Sequence, residues 1–164
     1  MNTNGICAVF GAVGRHRVRV TAFAQGGGVP SCLILGCIDE RVAGSVVSRM
    51  RDAAQGSGFS WPGEEVLVNV VPSAGPLVDG GIDFAVAAAV LGATGQLPQP
   101  SLRGKLFRGG IERSGAVSLA ADPFVPFRAA NPDMVAVRRI GTAPDGVGLC
   151  GVEVVSSLSD LRAL

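Results

Sequence analysis

Few residues in this chain carry reactive side chains at spacings that chemistry needs. The single histidine, His16, lies in the basic run Arg15-His16-Arg17. A Ser–His–acid or Cys–His hydrolase would have to recruit its imidazole from a solvated strand entrance. The acid pairs Asp39-Glu40 and Glu64-Glu65 are sequence neighbours, which do not face one cleft as a general acid and base must. The first reads as a helix cap and the second as a turn. Cys7, Cys32, Cys37 and Cys150 include no C-x-x-C pair and lack the close-spaced partners of a zinc site. They read as buried free thiols in a reducing cytosol. Gly104-Lys105 lacks both the upstream glycine and the following Ser or Thr of a phosphate-cradling loop, and no G-x-G-x-x-G opens a helix. No metal, nucleotide or other cofactor is expected.

The remaining polar chemistry is cationic. Arg15, Arg17 and Arg19 alternate onto one strand face, and Arg138-Arg139 form a second pair, so both are candidate phosphate contacts. Against them, 14 basic and 13 acidic residues leave a net charge of +1, too small a field to recruit nucleic acid or a membrane surface. A solvated sheet face is the plainer reading, and any DNA binding is expected to be weak and non-specific. Lys105 is the only lysine; the arginine bias fits a GC-rich genome before it fits selection for phosphate binding.

The elements that would position these residues alternate between strand and helix. Ile6 to Phe10 and Arg17 to Ala24 are strands, the second with Val18, Val20 and Ala22 opposite Arg17, Arg19 and Thr21, a period of two that gives one wet face. Gly26-Gly27-Gly28 turns into the strand Ser31 to Leu35. An amphipathic helix follows from Glu40 to Gln55, capped by Asp39, with Val42, Val46, Val47, Met50, Ala53 and Ala54 on one stripe. Val66 to Val71 is apolar except for Asn69, the pattern of a strand covered on both faces, so Asn69 is expected to bond a loop inside the fold. Asp83 to Thr94 is apolar all round and predicts a buried helix. Lys105 to Ile111 and Ala116 to Ala120 suit a hairpin, Met134 to Ile140 and Val152 to Val155 are late strands joined through an Asp145-Gly146 turn, and Ser157 to Asp160 opens a last short helix. With 48% hydrophobic and 16% charged residues, disorder is excluded. The longest apolar run, Phe84 to Ala93, is roughly half of what a membrane span needs. The start, Met-Asn-Thr-Asn-Gly, lacks the basic segment and apolar core of a secretory signal. One cytoplasmic α/β domain over residues 1–164 is the expectation.

Seven stretches, in order, resemble the N-terminal (ChlI-type) domain of bacterial magnesium-chelatase-like, ComM-type proteins. They are Ile34-Leu-Gly-Cys-Ile-Asp39, Gly56-Ser-Gly-Phe-Ser-Trp-Pro62, Val66-Leu-Val-Asn-Val-Val-Pro72, Asp79-Gly-Gly-Ile-Asp-Phe-Ala85, Gly95-Gln-Leu-Pro98, Phe107-Arg-Gly-Gly-Ile-Glu-Arg-Ser-Gly115 and Ser156-Ser-Leu-Ser-Asp-Leu161. Each is weak alone; their shared order across residues 8–164 is the specific signal. The resemblance implies a Lon-protease-like α/β fold, similar to the second domain of ribosomal protein S5, with a mixed sheet packed by a few helices. It also implies an association with ring-forming, DNA-handling ATPases, since a similar domain closes the RadA recombinase. The AAA+ module that follows this domain in ComM-type proteins is absent, so the chain is either a stand-alone homologue or a fragment. An AAA+ ATPase is thus a candidate partner in cis or in trans.

Lon-type peptidases use a serine on the loop before the central helix and a lysine on a later helix. Here that loop reads Asp79-Gly80-Gly81-Ile82-Asp83, the lysine position falls near Phe124, and Ser73 lies one loop early. A non-catalytic domain is expected, mediating self-association or docking to DNA-processing machinery. A weak nucleic-acid-binding module and a degenerate Lon-type peptidase are the alternatives. A mean hydropathy of +0.42 leaves too few polar side chains to cover a small domain evenly, and contiguous apolar patches mark interfaces. Around Phe124, Val125 and Phe127, Pro123 and Pro126 cut short a helix, so a homo-oligomer through that surface is expected.

Overall fold

Runs of β-branched and small apolar residues, alternating with polar ones only along Arg17 to Ala24, lay down a sheet first. In the computed structural model, which describes residues 5–13, 16–72, 75, 82–102, 105–107, 109–115, 117–118, 135–138, 152–154 and 158–163, β1 (Gly5–Val13) and β2 (His16–Gln25) pair as an antiparallel hairpin from Gly5↔Ala24 to Val13↔His16. β3 (Ser31–Gly36) and β4 (Glu65–Pro72) run parallel to each other, with α1 (Glu40–Gly56) as the crossover between them. A parallel neighbour needs such a crossover because no tight turn can return the chain to the same end. β4 then pairs antiparallel with β2.

After α2 (Asp83–Ala93) and the single turn α3 (Gln99–Leu102), β5 (Lys105–Phe107) adds parallel to β1. β6 (Gly110–Ile111) and β7 (Val117–Ser118) form a separate two-residue hairpin, and β8 (Val135–Arg138) and β9 (Val152–Val154) extend the main sheet in parallel. The sheet order is β3-β4-β2-β1-β5-β8-β9, so β2 alone runs against its neighbours. A 3₁₀ helix, Leu158–Ala163, ends the described chain. The chain is mixed α/β, with a mixed sheet and a few helices.

Helix α1 forms where the sequence predicts it. Asp39 Oδ1 accepts the backbone N–H groups of Arg41 (2.9 Å) and Val42 (3.3 Å), which the first turn otherwise leaves unpaired. Its stripe Ala43, Val46, Met50, Ala53 and Ala54 is buried. Every residue of α2 is buried, and small side chains let it lie close on β1. A Cβ on Gly11 would stand 2.8 Å from Ala85 Cβ, and one on Gly92 would stand 2.5 Å from Cys7 Sγ and 2.9 Å from Leu102 Cδ1. Phe84 meets Phe107 edge-on, with ring centroids 5.4 Å apart, a favoured aromatic geometry.

Two expectations are corrected. Val66, Val68 and Val70 are fully buried, but Asn69 and Val71 on the other side of β4 are exposed. This strand is covered on one face only, and Asn69 is not an internal anchor. Lys105 to Ile111 is not one strand: β5 joins the main sheet and β6 turns off into the hairpin, because Gly109 at φ 144° redirects the chain between them. β8 and β9 are parallel, so the chain must cross over between them; the expected turn at Asp145-Gly146 lies outside the described residues.

Candidate functional site

The register places a grid of side chains on the sheet face opposite α1 and α2. One row reads Leu33, Leu67, Phe23, Ile6 across β3, β4, β2 and β1; the next reads Leu35, Asn69, Thr21, Ala8; a third reads Val71, Arg19, Phe10. Period-two alternation explains why these residues share a face. It does not explain their chemistry, since a solvated face is ordinarily polar. Ile6 is 56% exposed, Leu33 51%, Leu35 47% and Val71 50%. Strands β1, β3 and β4 are thus apolar on both sides although, among the described residues, helices cover only one, and an apolar patch of this kind marks a place where something docks.

The arginines named from the sequence are split by the fold. Arg17 and Arg19 are exposed on this face, and the Arg17 guanidinium lies 4.8 Å from the centre of the Phe10 ring, a cation–π contact that holds it flat on the sheet. Arg138 belongs to β8, three strands away from β2, about 14 Å at ordinary strand spacing. Arg138 therefore does not lie on a strand next to that of Arg17 and Arg19. Arg15 and Arg139 lie outside the described residues, as do Phe124, Val125, Phe127, Ser73 and Cys150. At the other end of the open face, Glu65 begins β4 beside Gln25 and Ser31. Among the described residues, neither Arg19 nor Glu65 has an ion-pair partner.

A second polar cluster escaped sequence reasoning. Asp83, the first residue of α2, is 2% exposed. Its Oδ2 accepts Arg49 Nε (3.2 Å) and Nη2 (2.9 Å) from α1 and the Ile111 N–H (3.2 Å) from β6. Oδ1 has no partner among the described residues. Burial pushes the Asp83 carboxyl above the ordinary carboxylate range, while the Ile111 N–H and the Arg49 guanidinium pull against it. Arg49 also donates to Ser45 Oγ. The cluster ties α1, α2 and the β6–β7 hairpin together through one carboxylate, as a clamp does. The available signal was an acidic residue opening a helix with no other polar position in its first two turns.

The thiols also divide. Cys7 is buried, Cys32 is half-buried and Cys37 is exposed, which corrects the expectation of uniformly buried cysteines. Burial raises the Cys7 thiol and pushes Cys32 up to about 11, against the pull of Arg51. Among the described residues no group of three or more His, Cys, Asp or Glu converges as a metal site would, and no helix is long and apolar enough to cross a membrane.

No protein-family model matches the chain. No curated protein matches it either.

Proposed function

We propose that the chain is a non-catalytic domain of the Lon-like, S5-domain-2-like kind found at the start of magnesium-chelatase-like, ComM-type proteins, and that it works by self-association or by docking to DNA-processing machinery. The seven ordered motifs support the family reading, and the mixed sheet with helices on one face is compatible with it. The observation that carries the functional reading is the uncovered apolar sheet face. A domain that acted only as a solvated scaffold would gain nothing from Leu33, Leu35, Ile6 and Val71 in water, each costing about 25 cal/mol per Å² left exposed.

The test is size-exclusion chromatography with light scattering from about 1 to 100 µM, bracketing the micromolar range in which weak dimers dissociate. A mass rising above 16.6 kDa supports self-association; a monomer across the range removes it and leaves docking to a different protein. In parallel, the chain is expected to hydrolyse neither ATP nor peptides; turnover abolished by Ser73→Ala would overturn the non-catalytic reading. Arg17 stacked on Phe10 favours a secondary, weak affinity for DNA. Two arginines release few counterions, so such binding should vanish at physiological salt.

A further inference from the structure

The open face has a polarity that selects how a second copy would lie on it. Its Glu65 end is acidic and its Arg17–Arg19 end is basic, while the apolar rows occupy the middle. A surface with opposite charges at its two ends is self-complementary only when turned end for end; stacking it with strands parallel would set arginine over arginine. A closed two-fold interface uses the same patch on both copies. We propose that two copies of this chain stack their open sheet faces about a two-fold axis crossing the strands between the Leu67 and Asn69 rows. Glu65 of each copy then meets the partner's Arg19. This inference rests on the self-association reading above and assigns it a surface and a register.

The register follows from the pairing. Reversing the strands about that axis lays Leu33 over the partner's Leu35, Phe23 over the partner's Thr21 and Ile6 over the partner's Ala8. Large side chains fall on small ones in two of these three contacts, which suits interdigitation at the ~10 Å spacing of packed sheets. Glu65 comes over the partner's Val71, whose neighbour across the strand pair is Arg19, so the long guanidinium arm reaches it. Four strands at ~4.8 Å spacing and the run from Glu65 to Val71 at ~3.3 Å per residue give a face about 19 by 23 Å. Its projected area, about 440 Å², is roughly half the ~800 Å² per partner of a standard stable interface, the size of a weak contact. Asn69 is the mismatch: it faces the partner's Leu67, and an amide placed against an alkyl chain keeps the association weak.

Sedimentation equilibrium of the full chain and four variants tests the geometry. The unaltered chain should form a dimer, and Leu33→Lys should leave it monomeric. Arg19→Glu and Glu65→Arg should each raise the dimer Kd about tenfold, and the double swap Arg19→Glu/Glu65→Arg should return it to within about threefold of the starting value. All three substituted positions are on the open face, and circular dichroism checks that each variant keeps its fold. Should the chain dimerise yet ignore Leu33→Lys, or show no rescue in the double swap, the stacked face is overturned while self-association stands. A monomer at every concentration overturns both.

Discussion

Replacing Arg49 with methionine keeps the length of the side chain and removes the only cation in the Asp83 cluster. Two of the three hydrogen bonds to Asp83 Oδ2 then disappear, leaving a carboxylate whose side chain is 3% exposed with the Ile111 N–H alone. Removing one partner of a buried pair costs about 3–5 kcal/mol. Arg49 itself is 28% exposed, so the lower end, about 3 kcal/mol at pH 8, is expected, or about 6–12 °C in Tm for a domain of this size. The stranded carboxylate can escape by taking up a proton. Its folded pKa is already raised, so between the ordinary carboxylate range and that raised value the folded chain holds more protons than the unfolded one, and stability falls as pH rises through the window. Arg49→Met extends the window upward, so its penalty should shrink as the pH is lowered from 8 to 5, by at most about 1.4 kcal/mol per pH unit. Asp83→Asn keeps an acceptor for Ile111 and should cost about 1–2 kcal/mol. With no carboxylate left to strand, the double variant should cost little more than Asp83→Asn alone. Urea unfolding followed by the single tryptophan, Trp61, at both pH values gives these numbers. A penalty for Arg49→Met below about 1 kcal/mol at pH 8, or simple addition in the double variant, would refute the clamp.

In a Cys150→Ser background, a disulfide reagent at pH 8 should label exposed Cys37 within seconds and leave Cys7 and Cys32 until unfolding, since Cys32 titrates only near 11; rapid labelling of Cys32 would contradict its burial. Gly92→Ala should destabilise the chain by about 1–3 kcal/mol although alanine favours helices, because the new methyl meets Cys7 Sγ at 2.5 Å; Cys7→Ala in the same chain should recover part of the loss in a thermal melt.

Much of the fold was legible because its signals are local. The alternation along Arg17 to Ala24, the Asp39 cap and the apolar circumference of α2 each lie within one element, and each predicts that element to within a residue or two. What was missed depends on pairing across distance. The run Val66 to Val71 reads the same whether a second layer covers it or a partner does, so Asn69 was placed inside when it is outside. Arg49 sits among the polar residues of α1 and looks solvated until α2 brings Asp83 under it. Arg17 and Arg19 do share a face, as period two requires, but their separation from Arg138 is set by sheet order, which no local pattern encodes.

The order of synthesis gives the burial of α2 a temporal side. The β1–β2 hairpin closes locally, and its inner residues Val9, Val18, Val20 and Ala22 are fully covered in the finished fold. The helix that lies on them ends at Ala93, which a ribosome adds about 3–14 s after Gln25 at about 5–20 residues per second. Through that interval the apolar inner face of the nascent hairpin has no cover, and its outer side is only partly polar, with Ile6, Ala8, Phe10 and Phe23 set among Arg17, Arg19 and Thr21. This chain should therefore lean on ribosome-associated holdases early in translation more than its modest size would suggest.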